Sequence, residues 1–453
     1  MEFHILSFEG PDAYARAGGL ASRVEGLALS LSDHGFETHL WFIGDPGAPG
    51  EELWRGVHLH RWCQWISRQE PAGVYAGEEW KRHEYVTSLP PRLFELQERR
   101  LRHGREAVVL AEEWQTADAV LHLDWLLTQA GLRDSVRLFW NANNTFGFDR
   151  IDWPRLQRAA SVTTVSRYMK HLMAARGVQA IVIPNGLDPS ALETPDRSVV
   201  RELRRRVQGR TLLVKMGRFD PGKCWLDAIA ITADMKRLGW RPLLVARGGS
   251  ERHGREVLAA ARKMSLLVVE RNLHAPGARG LIGALSDCDA RDVIHITSHV
   301  EPAARRVLFR SADVVLANSI HEPFGLVGLE AMGVGGLACT GSSGEDYAQP
   351  GRNALVLETR DPDEFLGLFA QLRRRPMHER RIRAAGRATA RHYAWREIVQ
   401  GVLLPRVKLL GAELRSRPPG NTPRKTDELD GWRDGDRVCP PHSDWNCPRA
   451  SDS

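Results

Sequence analysis

Glu322 and Glu330 bracket seven residues in the stretch Glu322-Pro-Phe-Gly-Leu-Val-Gly-Leu-Glu330. The first carboxylate sits at a Pro-Phe-Gly turn, the second inside an apolar, glycine-containing run of helical character. Before them, Ala312-Asp-Val-Val-Leu-Ala-Asn-Ser319 reads as a buried strand leaving the core. Strand, turn and helix in that order present free N–H groups and a positive dipole end to an anion. With the helix starting near Gly325, Glu330 falls about a turn and a half along it and Glu322 stands at its mouth. One carboxylate then reaches a ligand's reactive end and the other its more distant hydroxyls. Taken alone, a charged pair around a turn is more often a helix cap and a solvated charge.

Cations accompany the carboxylates. In Lys215-Met-Gly217-Arg218-Phe-Asp-Pro-Gly-Lys223, Arg218 and Lys223 follow a strand, and Lys223 is expected to open the next helix. Two cations converging at a strand end suit a diphosphate leaving group, whose charge grows as a C–O bond breaks. Near the N-terminus, Glu9-Gly-Pro-Asp-Ala-Tyr-Ala-Arg-Ala-Gly18-Gly19 is a loop opening a helix, and its glycines let backbone approach a phosphate closely. Asn185-Gly186-Leu-Asp188 is a turn, and Ser166 is expected to cap a helix.

These groups need a scaffold. Short apolar runs, Phe3 to Phe8, Phe36 to Ile43, Val57 to Trp62, Ala107 to Ala111, Val136 to Trp140 and Val162 to Val165, alternate with amphipathic segments such as Gly19 to His34 and Gln115 to Gly131. Alternation of that kind predicts a parallel, doubly wound sheet. The pattern restarts after Pro184, with strands at Thr211 to Met216, Leu243 to Ala246, Leu266 to Val269, Val293 to Ile296 and Val314 to Ala317, and a helix from Cys224 to Leu238. Two α/β halves with a cleft between them follow, and ligands of such sheets bind beyond the carboxyl ends of the strands. From about Pro418 the chain is rich in Pro, Gly, Asp, Arg and Ser and is expected to be disordered.

Hydrophobic residues make up 42% of the 453 residues and charged ones 26%, as in an ordinary globular protein. The net charge of +7 favours anionic partners in general, whether nucleotides, phospholipid surfaces or nucleic acid. The six cysteines form no C-x-x-C pair, which leaves zinc and a disulfide framework unsupported and points to reduced thiols in the cytosol. No apolar run is long enough to span a membrane. Asp-x-Asp triplets at Asp287/Asp289, Asp361/Asp363 and Asp434/Asp436 look like chance, so no metal is expected. The runs Arg204–Arg206 and Arg373–Arg375 read as solvated helix faces.

The stretch around Glu322 and Glu330 resembles the E-x7-E signature of retaining GT-B glycosyltransferases of family four, which include glycogen, sucrose and trehalose synthases and bacterial mannosyltransferases. Arg218 and Lys223 match that family's G-R-x-x-x-x-K pattern, Ile183 to Asp188 its I-P-N-G element, and Ser342 to Glu345 its small-residue loop beside the sugar. His392-Tyr393-Ala-Trp395 resembles the motif opening a final helix that crosses back to the first domain. Matching elements run from residue 3 to about residue 410. The resemblance implies a GT-B fold with two Rossmann-like domains, 1–190 on the acceptor side and 191–395 on the nucleotide-sugar side, a crossover helix 396–415 and a tail 416–453. It implies that Arg218 and Lys223 hold the diphosphate, Glu322 the sugar and Glu330 the ribose. Phe324, Gly325 and Leu326 would line the donor site, and Gly18 and Gly19 would face donor phosphate and acceptor.

Two departures stand out. Asn141, Asn143 and Asn144 occupy the acceptor-side loop where the family often has a histidine, and asparagine is no base at pH 7. The departing phosphate oxygen is then expected to take the acceptor's proton. Gly335-Gly336-Leu337 replaces a common G-x-P. The activity implied is transfer of a hexose from a nucleoside diphosphate sugar to a hydroxyl acceptor, with retention. No cofactor or nucleic acid is called for, and the protein is expected in the cytoplasm or at the membrane periphery. The rivals are a GT-B nucleotide-sugar epimerase, which needs acid/base residues around the sugar, and a catalytically silent GT-B scaffold, which would show no nucleotide-sugar hydrolysis.

Overall fold

A computed structural model describes residues 1–415 of the chain. The expected tail from Pro418, Asp434 and Asp436 lie outside the described residues. Eight strands form a first sheet: β1 (Glu2–Leu6), β2 (Glu37–Ile43), β3 (Glu51–Trp54), β4 (Val57–Trp62), β5 (Ala107–Glu112), β6 (Val136–Ala142), β7 (Ser161–Thr164) and β8 (Ile181–Val182). Seven more form a second: β9 (Thr211–Met216), β10 (Pro242–Arg247), β11 (Val268–Arg271), β12 (Val293–Ile296), β13 (Val314–Ala317), β14 (Ala338–Thr340) and β15 (Leu355–Val356). Their orders are β3-β4-β2-β1-β5-β6-β7-β8 and β11-β12-β10-β9-β13-β14-β15. All pairings are parallel except β3 with β4. These are the two doubly wound α/β halves that the alternating pattern predicts.

In each sheet the chain starts in the middle, winds one way, and then returns to wind the other. The order therefore reverses between β1 and β5 and again between β9 and β13. At such switch points neighbouring loops leave the sheet in opposite directions and open a crevice for a ligand.

Some elements escaped the sequence pattern. A helix spans Glu78–Arg102 and runs through Pro90-Pro91, a pair that ordinarily breaks helices. It holds because Lys81, Tyr85, Leu89, Leu93, Gln97 and Leu101, each one turn on, are all buried on one side. The helix expected from Cys224 begins at Trp225, after a 3-10 turn Pro221–Lys223 and Cys224 in the left-handed region at φ 51°. Lys223 thus precedes the helix instead of opening it.

The arginine runs are not wholly solvated. Arg204 forks onto Asp313 at 3.0 and 3.1 Å, and Arg373 reaches the same carboxylate at 3.4 Å. Asp313 is buried and also accepts the Leu212 N–H at 2.8 Å, which fastens β13 beside β9. A buried carboxylate requires such partners, so one residue of each run is drawn inward.

The chain after Trp395 returns to the first domain as a helix Trp395–Ile398, a π-helical turn Val399–Leu403 and a helix Leu404–Arg415. Trp395, Ile398, Val399, Leu403 and Val407 join the core built by Phe3, Ile5 and Val24. Among the described residues no helix is long and apolar enough to cross a membrane.

Trp395 is seated between two glycines. A Cβ on Gly26 would lie 2.0 Å from its Nε1, and one on Gly186 would lie 2.4 Å from its Cδ2. Gly26→Ala should therefore lower stability by about 1–3 kcal/mol, the cost of overpacking. Gly367→Ala, in a helix with open space around it, should gain about 0.5–1 kcal/mol. Denaturant titration of both variants checks the pair; an unchanged midpoint for Gly26→Ala refutes the seat.

Candidate functional site

The second switch point carries the charges around Glu322 and its neighbours. The loop after β9 holds Arg218, and the loop after β13 holds Glu322. The Ile320 N–H donates to the Gly222 carbonyl at 2.8 Å, lacing one loop to the other. Beneath them the buried Lys215 ammonium donates to the carbonyls of Leu316 and Asn318 and to Asn318 Oδ1, at 3.2, 3.1 and 2.9 Å. Burial lowers the pKa of Lys215 to about 8, so this clamp is itself close to losing its proton.

On that base Lys223 Nζ pairs with Glu322 Oε2. Ser319 Oγ donates to the same oxygen at 3.1 Å, and the Glu322 N–H donates to Ser343 Oγ at 3.0 Å. Arg218 is exposed and forms no ion pair among the described residues. Gly325 is the N-cap of the helix Leu326–Gly333, so the positive end of that helix opens beside Glu322. The group combines two cations, a helix mouth and one carboxylate, which suits an anion joined to a hydroxyl-bearing ring.

Phe324 is buried, 6.0 Å from the Tyr347 ring and 6.1 Å from that of Tyr393, so it braces the turn from behind. Glu345 is also buried there, and neither of its side-chain oxygens has a hydrogen-bond partner. A Cβ on Gly325 would come within 2.8 Å of Glu345 Cγ. Burial, and after it the charge of Glu322, push the pKa of Glu345 up to about 8. Glu330 lies further along the helix, 3.1 Å from Arg305, and burial raises its pKa against that pairing. With Leu326 it lines a cavity of about 220 Å³ shared with Asn185 and Trp395.

The first switch point faces the second. Gly18 and Gly19 follow β1 and are exposed. The amides beside them are engaged already: Glu9 Oε2 accepts from Ala17, Gly18 and Ala21 N–H at 3.3, 2.9 and 3.0 Å. Tyr75 Oη holds the other Glu9 oxygen at 2.7 Å. A side-chain carboxylate thus sits at the mouth of the helix Gly19–Asp33, where a phosphate was expected.

Across from it, β5 ends in Glu112 and runs on into Glu113, a pair that the sequence reading passed over. Glu112 is fully engaged, by Arg23 Nε at 2.9 and 3.0 Å and by Asn141 Nδ2 and Asn143 Nδ2 at 2.8 Å each. Glu113 stands at φ 69°, a strained setting for a residue with a side chain. It accepts from the Asn143 N–H at 2.7 Å and Asn144 Nδ2 at 3.2 Å. Burial raises its pKa to about 8. An acidic doublet closing an apolar strand just before a tryptophan was the available signal. Asn141 and Asn143 are committed to Glu112, and Asn144 lines a cavity of about 670 Å³.

Contacts between the domains hold these two edges face to face. The Arg167 N–H donates to Asp346 Oδ2 at 2.7 Å and Tyr168 Oη meets His321 Nδ1 at 2.9 Å, while Arg23 Nη1 donates to Asn185 Oδ1 at 2.7 Å where the link leaves the first domain. Ser166 caps the intervening helix, accepting from the Met169 N–H at 3.1 Å. Of the acidic triplets, Asp287 pairs with Arg271 at 2.7 Å and Asp361 caps a helix.

Residues 211–389 match the family model described as glycosyl transferases group 1, and residues 17–191 that of glycosyltransferase family 4. A D-inositol 3-phosphate glycosyltransferase of Xylanimonas cellulosilytica is 28% identical over 189 residues, 39% of this chain and 45% of that protein. The match thus spans less than half the length of that curated relative. Among solved structures, the sucrose-phosphate synthase of Thermosynechococcus elongatus aligns with a TM-score of 0.60 at 18% identity, over 91% of this chain and 99% of that one. The catalytic domain of starch synthase IV from Arabidopsis thaliana, bound to ADP and acarbose, aligns at 0.63 with 16% identity, over 92% and 99%. With both halves matched in sequence and both sheets matched in fold, the chain belongs to the GT-B glycosyltransferases of the family-four kind.

Proposed function

We propose that the chain transfers a hexose from a nucleoside diphosphate sugar to a hydroxyl acceptor and keeps the anomeric configuration. The observation that carries this reading is the Lys223–Glu322 pair at the mouth of the Leu326–Gly333 helix, with Arg218 exposed in the adjoining loop after β9 at the same switch point. Arg218 and Lys223 neutralise the diphosphate as the bond from its oxygen to the anomeric carbon breaks. Glu322 accepts hydrogen bonds from the sugar, and Glu330 from the ribose. The bound ADP of the starch synthase supports a nucleotide as the leaving group.

The acceptor oxygen forms the new bond to the anomeric carbon, and its proton goes to the departing diphosphate oxygen. Retention rests on the resemblance of the Glu322–Glu330 stretch to that of the retaining family-four enzymes.

Arg218→Ala or Lys223→Ala should lower turnover by about 2–4 kcal/mol of barrier each, with little loss of fold stability. Wild-type kinetics in both would sink the diphosphate assignment. Glu330→Gln should weaken nucleotide binding, since ribose contacts serve ground state and transition state alike. Glu322→Gln should lower turnover and leave affinity for the free nucleoside diphosphate unchanged, because that ligand has no sugar. Calorimetry with UDP, GDP and ADP decides; equal losses in the two variants contradict the division of roles. The anomeric proton coupling of the product, read by NMR, should show an α-linkage from an α-linked donor, and a β-linked product overturns retention.

A further inference from the structure

A second cavity, of about 670 Å³, belongs to the first domain alone. It lies where the turn after β5 meets the loop after β6, at the sheet edge that faces the second domain. Asn144, which lines it, is bonded to Glu113, so the cavity adjoins the first switch point. Neither the cations nor the carboxylates of the donor side reach into it.

Its walls are chemically distinctive. Trp114 forms part of the lining, is 4% exposed, and carries a buried indole N–H with no hydrogen-bond partner. The ring is fixed from two sides: the Arg150 guanidinium stacks 4.1 Å from its centroid, and a Cβ on Gly147 would fall 2.4 Å from its Cγ. Phe146 is 71% exposed, the most exposed large apolar side chain among the described residues. Its backbone is nonetheless held, because its N–H donates to Asn144 Oδ1 at 2.6 Å. An aromatic face kept in water at the rim of a cavity is a surface waiting for an apolar partner.

The charges narrow the ligand. Glu78 and Asp149 line the cavity, and both are acidic. The one cation in the lining, Arg150, is forked onto Glu79 at 2.5 and 2.8 Å, so its charge is spent outside the cavity. A phosphate or carboxylate placed here would meet two like charges with no free cation in the lining to offset them, a juxtaposition that costs several kcal/mol when desolvated. Carboxylates do accept hydrogen bonds from neutral hydroxyls.

We propose that this cavity receives the acceptor, and that the acceptor is an uncharged polyhydroxylated ring, a sugar or cyclitol free of phosphate and carboxylate. Its C–H face lies on Phe146 while its hydroxyls donate to Glu78 and Asp149. The role as acceptor site rests on the transfer reading above; the ligand class rests on the cavity itself.

The test uses the full chain and paired probes, methyl α-glucopyranoside against glucose 6-phosphate and myo-inositol against myo-inositol 1-phosphate, titrated by ligand-observed NMR. In at least one pair the neutral member should bind, and about tenfold tighter than its phosphate. Phe146→Ala, at a solvent-facing position that leaves the fold intact, should weaken that binding about fivefold, and Asp149→Lys should narrow the gap within the pair. A phosphorylated probe binding as well as its neutral partner, or no neutral probe binding, overturns the proposal. Hydrolysis of UDP-, GDP- and ADP-glucose by the unaltered chain is measured alongside. Neutral probes bound without any hydrolysis sink the transfer reading; hydrolysis together with a preferred phosphate sinks the ligand class alone.

Discussion

One indole sets the two halves of this molecule against each other. Trp395 is 3% exposed and fills a seat that exists only because Gly26 and Gly186 carry no side chains. Gly26 is on the helix that follows β1, Gly186 is on the link between the domains, and Trp395 begins the return of the chain. The Leu187 N–H donates to the Tyr393 carbonyl at 2.6 Å, and the Trp395 N–H to the Leu187 carbonyl at 3.1 Å, so link and return are stitched together at the same place. Arg23 lies 5.8 Å over the indole while its guanidinium holds Glu112 and Asn185. The joint therefore communicates by direct contact with the carboxylate network of the first switch point. The seat therefore fixes where the chain leaves the first domain and where it returns to it.

Each side of the cleft solves the same electrostatic problem differently. At the second switch point the charges are left accessible, with Lys223 against Glu322 and Arg218 exposed, over a base laced by Lys215 and by the Ile320–Gly222 hydrogen bond. On the opposite side the carboxylates are satisfied internally: Glu9 by three backbone amides and Tyr75, Glu112 by Arg23 and two asparagines. Anions are thereby drawn to one side and discouraged on the other. In the proposed transfer, that asymmetry would suit a leaving group that gains charge and an acceptor that carries none.

Burial in the first sheet explains another departure from simple patterning. β1, β2 and β4 read as apolar runs, yet they bury His4, His39 and His60. The Trp41 indole N–H donates to His4 Nδ1 at 3.2 Å, which leaves His4 Nε2 facing Glu2 Oε1 at 3.3 Å, and His39 Nε2 faces the same oxygen at 3.0 Å. Burial pushes His4 down and His60 to about 3, so the His4 and His60 rings are neutral at pH 7, and Trp41 stacks 3.8 Å from His60. Such strands stay parallel-sheet strands because neutral imidazole, once paired, costs little to bury.

Much of this was legible in the residues. The alternation of apolar strands and amphipathic helices determined two doubly wound halves, because side-chain period and burial are local properties of the chain. The helix start near Gly325, the cap at Ser166 and the placing of Arg218, Lys223 and Glu322 beyond strand ends are equally local, and sequence spacing reports them. Other features depend on which distant residues meet. The Glu78–Arg102 helix survives Pro90-Pro91 only through its packed face, and Arg204 and Arg373 turn inward only because Asp313 is buried between them. Glu9, Glu113 and Glu345 are three ordinary acids in the sequence. Tertiary structure made the first a helix-mouth anion and raised the pKa of the other two to about 8, because proton affinity depends on desolvation and neighbours that no stretch of sequence contains.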